Sequence, residues 1–135
     1  MIFCRKELAE IIDFGVFPML QGGPHNHQIA ALAAQFKQAQ TQEFKDYITQ
    51  VKLNAVVLAE DLMKRGYKLI TDGTENHIVL MSCIDKGLTG SKVEFALDEC
   101  HITLNKNTII GDKSAITPGG IRIGTPAVTT RGYME

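Results

Sequence analysis

The sequence has no pair of cysteines at C-x-x-C spacing. It also has no apolar run near the ~20 residues that a membrane-spanning helix needs. Its three cysteines, Cys4, Cys83 and Cys100, are scattered and odd in number. They read as buried or half-buried thiols of a reducing compartment rather than a disulfide framework. Neither charge sign is in excess: the net charge is −1 and the pI about 6.4. That balance supplies no basic face, so nucleic acid is not an expected partner. His25, His27, His77 and His101 form neither H-E-x-x-H nor a finger pattern, which excludes the common zinc sites. No serine lies in a G-x-S-x-G elbow, and there is no internal repeat or low-complexity segment. The first residues, Met1-Ile2-Phe3-Cys4-Arg5-Lys6, do not form a secretory signal. The expectation is an intracellular protein, cytoplasmic or in an organellar matrix.

What is present is one domain's length of chain, 135 residues, with 44% hydrophobic and 21% charged residues. Met1–Cys4 reads as a short buried strand, and Arg5–Asp13 as a helix carrying Leu8, Ile11 and Ile12. Gly15–Gln21 reads as a loop. Gly22-Gly23-Pro24 predicts a helix start with proline at the first position, followed by an alanine-rich helix over Gln28–Gln40. Thr41 is the expected cap of the next helix. That helix spans about Gln42 to Arg65, with Phe44, Ile48, Val51, Ala55, Leu58 and Leu62 on one stripe. Gly66 is its expected left-handed stop.

Beyond Gly66 the period shortens. Tyr67–Ile70 and His77–Ser82 read as strands about an Asp72-Gly73 turn. Ser91–Cys100 reads as a helix with a Ser91/Glu94 capping box. His101–Leu104 and Ile121-Arg122-Ile123 read as further strands, with Asn105–Gly120 a loop between them. Thr125 and Pro126 open a last helix that runs to Glu135. The chain is therefore expected to start on a strand and stop inside a helix. The fold class is α/β, with a small α+β domain at the C-terminal end. Three parts are expected: residues 1–27 as the tail of another domain, 28–65 as long connecting helices, and 66–135 as the small domain.

Three features could carry chemistry. Free N–H groups at the Gly22-Gly23-Pro24 helix start would favour an anion, or the glycines would make only a tight turn. Arg122 would project from its strand opposite Ile121 and Ile123. There it would either grip a carboxylate through two parallel hydrogen bonds or face solvent. Glycines 119, 120 and 124 would let a ligand or backbone approach. Asn105-Lys106-Asn107-Thr108 could read a heterocycle's edge or form an ordinary turn. The adjacent pairs Glu60-Asp61 and Asp98-Glu99 read as solvated helix surface.

Longer motifs carry a resemblance. Val16-Phe17-Pro18-Met19-Leu20-Gln21-Gly22-Gly23-Pro24-His25-Asn26-His27 is similar to a signature stretch of the serine hydroxymethyltransferase family. Arg65-Gly66-Tyr67-Lys68, Thr74-Glu75-Asn76-His77, Leu88-Thr89-Gly90 and Ile102-Thr103-Leu104-Asn105-Lys106-Asn107 follow in the family's order. Thr117-Pro118-Gly119-Gly120-Ile121-Arg122-Ile123-Gly124-Thr125-Pro126-Ala127 resembles it most closely, and His25-Asn26-His27 resembles its eukaryotic branch.

The resemblance implies a C-terminal piece of a fold type I, aspartate-aminotransferase-like, pyridoxal-phosphate enzyme. Such enzymes convert serine and tetrahydrofolate to glycine and 5,10-methylenetetrahydrofolate as dimers or tetramers. It implies that Arg122 binds the carboxylate of serine or glycine, and that Gly22 and Gly23 touch the phosphate of a cofactor bound by a neighbouring subunit. It implies that Asn107, with Lys113, Ser114 and Ala115, borders the folate pocket. The family's Schiff-base lysine lies in a Thr-His-Lys-Thr context upstream of the segment resembling Met1-Ile2-Phe3. No lysine here has those neighbours. No catalytic residue is therefore expected in this chain, and no transfer activity from it alone. The competing expectation is a non-catalytic binding or interaction module derived from that enzyme.

Overall fold

A computed structural model describes residues 1–135. They form two compact units, Met1–Ala39 and Gln40–Glu135.

In the first unit a tight turn, Lys6–Leu8, runs into α1 (Ala9–Phe14). A wide helical turn, Gly15–Leu20, follows; it is broken at Phe17, whose backbone is extended, and the Phe17–Pro18 peptide is cis. Met1–Cys4 is not a buried strand. It has no strand partner, and Met1 and Phe3 are 79% and 87% exposed. A strand needs a neighbour to satisfy its backbone groups, and this unit contains none. α2 (Asn26–Ala39) begins two residues after Pro24, so the proline precedes the helix instead of opening it. The first helical hydrogen bond runs from the Ile29 N–H to the His25 carbonyl at 3.2 Å.

The second unit is built on α3 (Gln42–Lys64). Thr41 caps it, its hydroxyl accepting the Phe44 N–H at 3.2 Å. Gly66 ends it at φ +79, where the Gly66 N–H reaches the Met63 carbonyl (2.9 Å) and the Tyr67 N–H the Leu62 carbonyl (3.0 Å). These paired bonds satisfy carbonyls that the helix end leaves free.

The sheet has three antiparallel strands, β1 (Ile78–Ser82), β2 (Asn105–Asn107) and β3 (Gly120–Gly124), in the order β1-β3-β2. Tyr67–Ile70 does not form a full strand. It adds one bridge, Leu69 to Met81, on the outer edge of β1. His101–Leu104 is not a strand either. His101 turns left-handed at φ +61 and the Ile102 N–H returns to the Leu97 carbonyl at 2.9 Å, so these residues terminate α4 (Gly90–Asp98). Pairing starts one residue later, inside the expected 105–120 loop.

The core lies on one face of the sheet. Val79, Met81, Cys83 and Ile121 meet Ala59 of α3 and Leu69, with Leu58, Leu62, Val93 and Leu97 packed around them. At ~25 cal/mol per Å2 of apolar surface, each of the larger buried side chains, Val79, Met81, Ile121 and Leu69, contributes roughly 1.5–3 kcal/mol when fully covered. The stripe expected on α3 is buried at Val51 and Ala55 and thins toward Ile48, which is 40% exposed.

α5 (Pro126–Thr130) does not run to Glu135; it stops at Arg131, and Gly132 turns at φ +87. Pro126 occupies its first turn, as expected, but Thr125 supplies no side-chain cap. Its hydroxyl instead donates to the Val51 carbonyl of α3 at 2.8 Å. A polar seam continues from there: the Asn54 amide donates to Thr129 Oγ1 (2.8 Å) and to the Tyr133 carbonyl (2.9 Å). The α4 cap is also displaced from expectation. Thr89, not Ser91, accepts the Lys92 N–H, at 3.4 Å. Glu94 lies too far into the helix to close a box with Thr89.

Candidate functional site

Arg122 sits in the middle of β3, the central strand. Its neighbours in sequence, Ile121 and Ile123, turn toward the helices. Strand alternation therefore sends Arg122 to the opposite face. The register sets Leu80 of β1 on one side of it and Asn105 of β2 on the other, with Asn107 opposite Gly120 one step along. Arg122, Asn105 and Asn107 thus share a face, remote from the core cluster. Arg122 is exposed and belongs to none of the three ion pairs of the chain, which are Lys64–Glu60, Arg65–Asp61 and Lys106–Glu94. A guanidinium with no internal partner, carried on the best-paired strand of the sheet, can offer its two-pronged edge to a carboxylate.

Asn107 is half-buried, and its side-chain amide donates to the Thr108 carbonyl at 2.7 Å. Its side-chain oxygen accepts no hydrogen bond within the chain. Lys113, Ser114 and Ala115 are exposed in the connection from β2 to β3. Ser114 Oγ accepts the Ile116 N–H at 3.1 Å, and Lys113 makes no ion pair.

Of the glycines expected to let a ligand or backbone approach, two are closely packed by the protein itself, Gly120 by the Met81 and Asn107 backbone among others. A Cβ at Gly119 would lie 2.6 Å from Ile84 Cδ1, and one at Gly120 2.4 Å from Ile109 Cγ2. Both admit neighbouring protein atoms. Gly90 is tighter still: a Cβ there would be 2.1 Å from the Gly120 carbonyl oxygen.

In the first unit, Gly22 and Gly23 are exposed, with nothing within 4 Å of where a Cβ would be. Their N–H groups donate to no acceptor of the chain. They line an open hollow with Gln21, Pro24, His25 and Gln28. The His25 and His27 rings stack 5.7 Å apart beside them. Unbonded amides just ahead of a 14-residue helix suit an anion such as a phosphate.

The carboxylate pairs behave as solvated surface. Glu60 and Asp61 pair with Lys64 and Arg65 at 3.8 and 2.6 Å, each one helical turn on. No group of three or more His, Cys, Asp or Glu side chains could hold a metal. The cysteines form no disulfide. Cys83 alone is buried, and Cys4 and Cys100 are exposed, against the expectation of three sheltered thiols. Burial pushes the Cys83 thiol pKa up. No helix is long and apolar enough to cross a membrane.

The serine hydroxymethyltransferase family model matches residues 3–135. The chain is 60% identical over 129 residues to serine hydroxymethyltransferase 4 of Arabidopsis thaliana, covering 96% of this chain and 27% of that protein. It is 56% identical to the cytosolic serine hydroxymethyltransferase of Candida albicans, over the same shares. It is 52% identical to the mitochondrial one of Candida glabrata, covering 100% of this chain and 31% of that protein. The chain therefore spans between a quarter and a third of the length of these relatives. A match across nearly every residue, at such identity, means that the chain belongs to the serine hydroxymethyltransferase family.

Proposed function

We propose that this chain forms the C-terminal part of a fold type I, pyridoxal-phosphate-dependent transferase that moves a one-carbon unit from serine to tetrahydrofolate and leaves glycine. The observation that carries this reading is Arg122, an exposed guanidinium without an internal partner, fixed on the central strand. In this reading Arg122 binds the carboxylate of serine or glycine through two parallel N–H bonds. It thereby fixes one end of the amino acid, which is a positioning role. Gly22 and Gly23 donate their free N–H groups to the cofactor phosphate held by a neighbouring subunit. Their open surroundings fit that task. Asn107, with Lys113, Ser114 and Ala115, borders the folate.

Pyridoxal phosphate, when bound, supplies an electron sink for cleavage at the amino acid's α-carbon. The covalent anchor would be a lysine, and no lysine here stands in a Thr-His-Lys-Thr context. The chain is thus a set of binding groups whose reacting centre lies in other polypeptide. Residues 1–27 would belong to the cofactor domain, 28–65 would connect, and 66–135 would form the small domain. The assembled enzyme would be a dimer or tetramer of the cytosol or an organellar matrix.

The test is serine cleavage with added pyridoxal phosphate and tetrahydrofolate. The 135-residue chain alone is expected to give no turnover. Mixed with the complementary N-terminal portion of a relative, it is expected to give turnover that Arg122→Ala abolishes. Turnover by the chain alone would sink the reading, as would an active mixture indifferent to Arg122.

A further inference from the structure

The connection between β2 and β3, residues 108–119, carries Lys113, Ser114 and Ala115 on its exposed middle. Its two roots meet at one carboxylate. Asp112 Oδ2 accepts the Ile109 N–H at 2.9 Å and the Gly119 N–H at 2.8 Å. The Asp112 N–H in turn donates to the Ile109 carbonyl at 3.1 Å. The grip depends on glycine, because a Cβ at 119 would lie 2.7 Å from Asp112 Oδ1.

The far root is anchored to the rest of the unit. The Gly119 carbonyl accepts the Cys83 N–H, and the Pro118 carbonyl accepts the Gly90 N–H, both at 2.8 Å. Asp112 therefore ties a long excursion to a root that two backbone hydrogen bonds already hold. Asp112 makes no ion pair. Lys113 follows it directly in sequence, and Asp85 and Lys86 follow the Ile84 that packs on Gly119. The Gly119 N–H first, and then the Ile109 N–H, hold the Asp112 carboxyl below the usual carboxylate range, against the effect of burial.

We propose that Asp112 is a positioning residue for the Arg122 face. Its carboxylate fastens both roots of the β2–β3 connection, so that Lys113, Ser114 and Ala115 on its exposed middle are held in place relative to the paired strands that carry Asn107 and Arg122. The ligand-binding side of this inference rests on the function proposed above; the fastening itself does not. Removing the acceptor frees the connection while the core stays closed, because the core residues lie on the other face of the sheet.

Amide exchange and pH titration of the 15N-labelled 135-residue chain test the fastening. In Asp112→Ala the Ile109 and Gly119 amides are expected to exchange about tenfold faster or more, with those of Val79 and Ile121 unchanged. Asp112→Asn, which keeps a neutral acceptor, falls between. In the unsubstituted chain the two amide shifts titrate with one shared midpoint, which Asp112→Asn removes. Unchanged exchange in Asp112→Ala, or loosening that includes Val79 and Ile121, overturns the proposal. If Asp112→Ala does not fold, the titration decides, and separate midpoints overturn it.

In the active mixture, Asp112→Asn is expected to raise KM for tetrahydrofolate while kcat falls less. An unmoved KM overturns the positioning role. A mixture that is inactive even without substitution counts against the proposed function, and the exchange result still decides the fastening.

Discussion

Arg122 and Leu80 stand directly opposite one another across β3 and β1, on the face of the sheet that turns from the core. An arginine there supports no ion pair and fills no core space. Arg122→Ala is accordingly expected to change unfolding free energy by less than about 0.5 kcal/mol. Urea unfolding followed by circular dichroism measures this through the midpoint at constant slope. A loss of several kcal/mol would assign the guanidinium to structure and remove the reason for reading it as a ligand group.

Gly90 and Gly22 make a controlled contrast. A methyl at Gly90 would collide with the Gly120 carbonyl oxygen, which belongs to the central strand and has nowhere to go. Gly90→Ala is expected to cost about 1–3 kcal/mol or more. A methyl at Gly22 meets nothing, so Gly22→Ala is expected to stay within about 0.5 kcal/mol. Thermal melts of the two variants, run side by side, check the order. Equal destabilisation would contradict the packing described for the α4 start.

Glu94 gives an acid-side signature. Its carboxylate accepts the Lys106 N–H at 3.0 Å and lies 3.3 Å from the Lys106 ammonium. The backbone bond, more than the charge, holds its pKa below the ordinary 4.5. A carboxyl depressed in the folded state stabilises fully above 4.5, and that contribution is lost as pH falls through the depressed value. Glu94→Gln should flatten the stability profile on that acid limb and leave its shape above pH 6 unchanged. Unfolding midpoints across the acid range, compared between the two proteins, would reveal an identical limb if the contact were idle.

The features legible in the sequence are those fixed by one or two neighbouring residues. Thr41 and Gly66 bound α3 where their chemistry puts them. Pro126 opens α5, and alternation around Arg122 gives its face. What escaped needed a distant partner. Met1–Cys4 has strand composition but no strand to join. His101 ends a helix in a conformation that glycine usually takes, so composition there pointed to extended chain. The threonine that looked like a cap at 125 spends its hydroxyl on Val51 of α3, 74 residues away in sequence.

Site geometry divided the same way. Arg122 could be singled out from its setting, but Asp112 could not, because its two amide partners flank it at unequal distances along the chain. The polar seam through Asn54, Thr129 and Tyr133 was equally hidden, since none of these residues carries a local motif.

Cys83 is 2% exposed and Cys4 and Cys100 lie open. The molecule therefore carries its own clock. Alkylating reagents meet the two outer thiols at once, while the third is reached only when the layer of helix over sheet parts. The delay before the third adduct forms measures how often the second unit opens, with no probe introduced.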